Sequence, residues 1–446
     1  MKPAPLFIFF TLFWFLLGAG GFFSDQISLI WFLTGIILLP VIIIDGLVLY
    51  FLTDRLSVKR EIPSSLAQGE AVKVKLKIME NEDSKFLPVK FLIWDIHPDS
   101  MGTEAFPASF SKHKNKTNFP IDFEYSINPI ERGDWQFTGT ELLLRSFLGF
   151  WHLKVFHDFK SQGRTYPNFK KIKAKAGFDL KGLLEKSGHK NIRMRGQGME
   201  FSSLRDYQDG DSIRAADWRA TSRKQKLIIR EYQEEKDQQL LFLLDTGYRL
   251  HRQDGSKNQF DKALEAVLLL SWFSLKHGDS VGAASFGSEN SGSGNIWLNP
   301  RKGLSMFPVL MNSLYNLSSS ASPSSPLSVL EEALTRLKRR TFIILVSNFQ
   351  KEDGDSMSWI LKHVNKRHLM LFVNLNEEEA ETIAARKPGD FDEALETSAA
   401  FSYLASRRQL YKTWEHSGIL TMETSSEKLS GSLINRYLQV KRSGKL

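Results

Sequence analysis

The sequence predicts two N-terminal transmembrane helices, then a small β-sandwich-like domain, then an α/β doubly wound domain. Three patterns carry that expectation. Two long apolar runs open the chain. Apolar and polar residues then alternate with a period of two. From Gln239 onward, short apolar strands alternate with helix-period segments. At 446 residues the chain exceeds one ordinary domain, for which ~100–200 residues is usual. The expected regions are 1–54 (a transmembrane helical hairpin), 55–166 (the β-sandwich-like domain), 167–238 (an arginine- and glycine-rich connecting region) and 239–446 (the α/β domain).

Leu6 to Phe23 is apolar apart from Thr11 and its glycines, and Ile27 to Ile44 follows after Ser24-Asp25-Gln26. Each run approaches the ~20 residues that a helix needs to cross the hydrocarbon core. The short break predicts a tight hairpin. Pro40 is expected to kink the second helix, which membrane helices tolerate. A cleavable signal peptide is the rival reading of the first run, although the second run would still anchor the chain. Lys2 precedes the first span, Arg55, Lys59 and Arg60 follow the second, and the turn carries only Asp25. Excess Lys and Arg marks the cytoplasmic side. Both ends are therefore expected in the cytoplasm. Asp45, near the inner end of the second span, is read as reaching the headgroup zone.

Val72 to Ile78 alternates apolar residues with Lys73, Lys75 and Lys77. That is the pattern of a half-buried antiparallel strand. Val89–Asp95 and Ile121–Ile127 continue it, punctuated by Gly69, Asn81-Glu82-Asp83, Pro98-Asp99 and Arg132-Gly133-Asp134. Short strands so bounded predict a β-sandwich. Its lysine face is read as solvated or as lying beside anionic lipid.

In the C-terminal region, Gln239–Leu244, Ser280–Phe286, Thr341–Ser347, His368–Asn374 and Ile419–Met422 read as strands. Phe260–Leu275, Leu304–Asn316, Leu327–Lys338, Glu396–His416 and Lys428–Gln439 read as helices. Ser288–Gly294 reads as a polar hairpin leading to Ile296-Trp297-Leu298. The alternation predicts a mostly parallel sheet with helices on both faces. Such sheets bind ligands at the carboxyl ends of their strands.

Between these regions, Arg205, Asp206, Asp209, Asp211, Arg214, Asp217, Arg219 and Arg223 mix both charge signs. The mixture reads as an internal network of arginine–carboxylate bonds fixing an irregular loop, or as a site for a partner or a phosphate. Gly196, Gly198 and Gly210 would permit the left-handed turns such a loop needs. Gly196-Gln197-Gly198-Met199-Glu200-Phe201, Leu204-Arg205-Asp206-Tyr207, Gly210-Asp211, Arg214, Asp217-Trp218-Arg219, Ser222-Arg223 and Arg230-Glu231-Tyr232 sit at fixed offsets. This stretch resembles the signature of the membrane-anchored family catalogued as domain of unknown function fifty-eight. Arg60, Gly69-Glu70, Arg132 to Trp135, Ser146 to Trp151 and Tyr166-Pro167 are similar to that family's upstream region. The candidate binding residues, structural or partner-facing, are Arg205, Asp206, Tyr207, Gly210, Asp211, Arg214, Asp217, Trp218 and Arg223.

The predicted element order, with a hairpin after the second strand, resembles a von Willebrand factor A-type domain. That resemblance implies a divalent cation held by Asp-x-Ser-x-Ser at the end of the first strand. Here the stretch is Asp245-Thr246-Gly247-Tyr248-Arg249, and the second acidic position falls at Asn348. Mg²⁺ needs oxygen ligands, typically with one or two carboxylates. Two readings stand. Arg249 folds back as a fixed positive charge in place of the metal, or a weakened ion site survives on Asp245, Asn348 and waters.

Absence of cysteine excludes disulfides, thiolate metal sites and cysteine nucleophiles. The formal charge of +9 has no nucleic-acid motif to accompany it. There is no GxSxG elbow, HExxH or Walker loop, and His277, His363 and His368 read as surface or structural. The chain is therefore read as a non-enzyme: a membrane-anchored, cytoplasm-facing adaptor without a cofactor. By resemblance, its expected partners are a MoxR-type AAA+ ATPase and other membrane-bound von Willebrand A proteins. The alternatives are an envelope-associated hydrolase and a metal-dependent adhesion protein.

Overall fold

The structure is a computed structural model. It describes residues 1–53, 56–80, 90–103, 108–111, 121–174, 200–208, 211, 213–233, 237–254, 257–287 and 295–444. The chain divides into two compact units, Met1–Asn168 and Phe169–Leu446.

In the first unit, helix α1 (Pro5–Gly20) and helix α2 (Asp25–Thr53) form an apolar hairpin. Glycine lets them close. A side chain at Gly18 would meet the Trp31 indole at 2.7 Å, and one at Gly35 would meet Trp14 at 2.8 Å. The two indoles stack at 5.0 Å, and Trp14 Nε1 donates to the Trp31 carbonyl at 3.2 Å. Asp25–Phe51 is 27 residues, long and apolar enough to cross a membrane. The 16 residues of α1 rise only ~24 Å, short of a ~30 Å core.

Asp45, expected at the headgroup level, is covered by protein rather than open to its surroundings. It is 6% exposed, and its Oδ1 accepts from Leu148 N at 3.0 Å. A turn of the β-domain packs on the helix there, so Oδ1 serves protein while Oδ2 is buried without a hydrogen-bond partner among the described residues.

Three sheets make up the β-domain. One runs, in spatial order, Lys2–Pro3, Trp151–His157, Gly139–Arg145, Lys90–Ile96 and Ala108–Ser111. A second runs Leu56–Glu61, Val72–Glu80, Ile121–Pro129 and Met101–Gly102. The third runs Ser65–Ala67, Ser161–Tyr166 and Gly133–Phe137. The period-two pattern places Val74, Leu76 and Ile78 in the core with Ile93, Leu142 and Phe137. Lys75 and Lys77 face cross-strand carboxylates, Glu124 at 2.8 Å and Glu61 at 2.6 Å. Acidic neighbours therefore already satisfy much of the face that the sequence offered to lipid.

Arg60 is a second departure. The sequence counts it as a membrane-flanking charge, yet its side chain and that of Asp95 are wholly buried and paired. Arg60 Nε donates to Asp95 Oδ2 at 2.9 Å, and Nη1 donates to Ser161 Oγ at 3.1 Å. Its guanidinium lies 4.4 and 4.5 Å from the Phe137 and Phe159 ring centroids. Tyr125 and Thr140 also donate to Asp95. Burial, together with the Asp95 charge, raises the Tyr125 phenol well above its ordinary pKa.

The second unit holds a two-stranded antiparallel hairpin, Glu200–Asp206 with Ile228–Gln233, and a six-stranded sheet. The sheet's spatial order is Trp297–Lys302, Ser280–Phe286, Gln239–Asp245, Thr341–Val346, Leu369–Leu375 and Leu420–Thr424. All pairings are parallel except that of the Trp297 edge strand. Along the central strand, Leu240, Phe242 and Leu244 face one core, with helices Gln259–Lys276, Met306–Leu314 and Leu429–Arg442. Leu241 and Leu243 face the other, with Leu327–Arg336, Lys351–Arg367 and the end of Phe391–His416. The chain leaves the central strand first toward one edge and later toward the other. Asp245 therefore ends the strand at the sheet's topological switch point.

Lys351–Arg367 and Glu378–Ala385 are helices that the sequence reading lacks. The expected Ser288–Gly294 hairpin lies outside the described residues.

Breaking a buried ion pair strands a charge and costs about 3–5 kcal/mol, whereas replacing both partners with apolar residues is often neutral. Arg60→Leu is thus expected to lower the thermal midpoint of the full chain in detergent, and Arg60→Met with Asp95→Leu to regain most of it. Equal losses in the single and double variants would contradict this.

Candidate functional site

The Gln239–Asp245 strand delivers Asp245, fully buried, to the carboxyl edge of the sheet. Both carboxylate oxygens are engaged. Oδ1 accepts from Gly247 N at 2.8 Å and Ser324 Oγ at 2.6 Å. Oδ2 accepts from Ser347 Oγ at 2.5 Å and faces Arg249 Nη1 at 3.5 Å. Arg249 thus folds back over Asp245, its side chain 6% exposed.

Several elements hold the guanidinium. Nη1 donates to the Ser324 carbonyl at 2.7 Å and to Ser324 Oγ at 2.8 Å. Nη2 donates to Asp353 Oδ1 at 2.5 Å. The group also lies 5.1 Å from the Phe349 ring centroid and 5.2 Å from that of Tyr248. Burial alone would lower its pKa. The Asp353 bond and the charges of Asp245 and Asp353 outweigh that, and the net shift is upward. Arg249 is a permanent cation here.

Ser324 supplies the hydroxyl that position 247 lacks. It fills the space where a side chain at Gly247 would sit, and its Cβ lies 2.5 Å from a Cβ built at Gly287. The chain around it is pinned as well. Ser320 N donates to the Thr246 carbonyl at 2.8 Å, and Tyr248 N donates to the Ser322 carbonyl at 3.0 Å. Asp353 belongs to the capping box of the Lys351–Arg367 helix, where its Oδ2 accepts from Gln350 N at 3.0 Å.

Asn348 does not join Asp245. Its Nδ2 donates to Gln259 Oε1 and its Oδ1 accepts from Leu375 N, each at 2.8 Å. Ser347, one residue earlier, is the side chain that reaches Asp245. A divalent cation does not fit the residues present. Asp245 already accepts from four donors, Asp353 is taken up by Arg249 and Gln350 N, and a guanidinium stands where a hard cation would need free oxygens.

A second polar network continues along this edge. Arg407, 4% exposed, donates to the Leu375 carbonyl at 2.8 Å, to Tyr411 OH at 2.6 Å and to Glu377 Oε1 at 3.2 Å. Arg252 reaches Glu377 Oε2 at 2.7 Å. Burial pushes the Tyr411 phenol up.

The signature residues organise their own hairpin. Arg205 grips Asp211 with both terminal nitrogens, at 2.7 and 2.8 Å. Asp217 caps the Trp218–Lys224 helix through Arg219 N and Ala220 N, each at 3.0 Å, and accepts from Arg230 Nε at 3.0 Å. Tyr207 N bonds the Leu227 carbonyl, and the Asp206 carbonyl accepts from Arg205. Trp218 is 65% exposed, with Arg219 and Arg223 exposed beside it. Gly196, Gly198, Asp209, Gly210 and the Arg214 side chain lie outside the described residues. His277 bonds its own helix at Phe273, His363 is exposed and His368 is buried.

A family model described as "Protein of unknown function DUF58" matches residues 203–391. The "Uncharacterized protein YeaD" of Bacillus subtilis (strain 168) is 22% identical over 173 residues, which is 38% of this chain and 40% of that protein. A solved "conserved hypothetical protein BatB from Bacteroides thetaiotaomicron" is 11% identical, covering 47% of this chain and all of that one, with a TM-score of 0.29. A cohesin module from a Clostridium perfringens ATCC13124 family 33 glycoside hydrolase is 14% identical, covering 25% of this chain and 96% of that one, with a TM-score of 0.18.

Two outcomes are expected. Gly247→Ser would supply the hydroxyl that the sequence resemblance expects at this position, yet its side chain collides with Ser324. It should therefore cost about 1–3 kcal/mol, as overpacking does. A Gly247→Ser chain that Mg²⁺ stabilised above the unmodified protein in thermal unfolding would refute this. Separately, the bonds from Ala220 N and Arg230 hold the Asp217 carboxyl below its ordinary pKa. Its contribution is present above the unfolded pKa of about 3.9, and it is lost as pH falls through the lower folded value. Arg230→Ala should move the Asp217 midpoint upward in an NMR titration; an unmoved midpoint would exclude the pairing.

Proposed function

We propose that this chain is an adaptor held at a bacterial inner membrane by its N-terminal helical hairpin. Its soluble units face the cytoplasm and recognise protein partners without a metal, through a degenerate von Willebrand A-like domain. The observation that carries the reading is Arg249. A permanent cation with hydrogen-bonded carboxylates closes the place where a cation-dependent domain of that type would keep an open coordination site. The strand order, five parallel strands with one antiparallel edge strand, supports the domain type. Exposed apolar residues on the same unit give a partner something to hold. They are Trp218 at 65%, and Phe391, Leu395 and Phe401 at 80, 63 and 67% on one long helix. Aromatic and arginine side chains such as Trp218 and Arg219 are typical anchors of protein interfaces.

The proposed partner is a MoxR-type AAA+ ATPase, with other membrane-bound von Willebrand A proteins nearby. The ATPase would remodel clients, and this chain would bring it to the membrane. Co-purification of the full chain from detergent should enrich an AAA+ ATPase, and Trp218→Ala should weaken that enrichment without changing thermal stability. No AAA+ protein above background would remove the proposal.

A further inference from the structure

The Ser146–Phe150 turn of the β-domain joins strand Gly139–Arg145 to strand Trp151–His157, and it is rigid. Ser146 N and the Trp151 carbonyl bond at 2.9 Å, Trp151 N donates to Ser146 Oγ at 3.0 Å, and Gly149 N closes back on the Ser146 carbonyl at 3.0 Å. Gly149 takes φ +83°, a conformation other residues adopt only with strain, with the Arg145 guanidinium over the place a side chain would need.

One side of this turn is clamped to both apolar helices. Leu148 N donates to Asp45 Oδ1 at 3.0 Å, and Trp151 Nε1 donates to the Ile42 carbonyl at 2.9 Å. Gly46 makes room for that indole. Ala4 N donates to the Phe150 carbonyl at 2.8 Å, and the Phe10 and Phe7 rings lie 5.6 and 5.0 Å from Phe150 and Trp151. The other side is bare. Phe147 is 76% exposed and Leu148 45%.

Height along α2 identifies what covers them. The turn stands level with Ile42–Gly46, and the apolar stretch continues to Phe51 with Leu47, Tyr50 and Phe51 at 50, 60 and 69% exposure. Counting from Asp25, ~20 residues cross the hydrocarbon. The crossing therefore ends near Asp45, and the remaining turns of α2 stand in the headgroup layer. Tyr50 lies on those turns and the Trp151 indole at their base, against Ile42 and Gly46, as aromatic residues at membrane interfaces do. The geometry points to Phe147 and Leu148 as a rigid apolar wedge seated in the interfacial zone of the lipid bilayer, tying the β-domain to the membrane surface. This rests on the anchoring reading of α2.

The chain has no cysteine, so single labels are unambiguous. Phe147→Cys and Ile37→Cys, each carrying an environment-sensitive NBD label, would be reconstituted as the full chain in vesicles with nitroxide lipids. The label at 147 should be blue-shifted and quenched more by headgroup-proximal than by mid-chain nitroxide. At 37 the order should reverse. Quenching at 37 but not at 147 would overturn the wedge and leave the anchor standing. A blue shift at 147 without quenching would mean that protein covers the turn, and would also overturn it. No quenching at either position would overturn the anchor and the wedge together.

Discussion

A carboxylate fully removed from water cannot stand alone, and Asp245 is such a carboxylate. The desolvation penalty of one buried ion is several kcal/mol even after relaxation. Its neighbourhood is arranged around meeting that cost. Gly247 presents a backbone N–H, Ser324 and Ser347 present hydroxyls, and Arg249 supplies the opposite charge. The demand propagates outward. Gly247 and Gly287 leave room for Ser324, and the Ser319–Ser324 segment is pinned over the first strand. Asp353 neutralises the other arm of Arg249 from a helix N-terminus. The carboxyl edge of the sheet is thereby a structural joint.

Buried pairs recur at several junctions between elements of this cysteine-free chain. Arg60 and Asp95 link two sheets of the β-domain. Asp279 holds Tyr437 and Lys441, fastening the last helix to the base of the sheet. Arg407 ties the long Phe391–His416 helix to the end of the Leu369–Leu375 strand. Each pair is hydrogen-bonded beyond its partner, the condition under which a buried charge is tolerated.

Strands were legible wherever period and burial agreed. Val72–Ile78 shows its alternation, and Thr341–Val346, buried on both faces, shows a continuous apolar run. The Lys351–Arg367 helix was hidden by its polar, glycine-containing start. Its later Met357, Ile360, Leu361 and Val364 follow the helical spacing and were the available signal. Gly354 itself is a packing residue, because Leu410 occupies the space beside it. Asp245 and Arg249 were readable from the motif position. The resemblance puts the second acidic position at Asn348, but side chains alternate along a strand end, and Ser347 has the parity that faces Asp245. Ser324 and Asp353 come from segments 79 and 108 residues beyond Asp245, and no local pattern in the sequence announces such a meeting.

Under the proposed function, Arg249 takes the place of a cation beside Asp245. Thermal unfolding of the full chain titrated with Mg²⁺ and Mn²⁺ tests it most directly, because any ligand that binds only the native state raises its apparent stability. The account predicts no metal-dependent shift in the unmodified protein. A stabilisation that disappears in Asp245→Ala would contradict it.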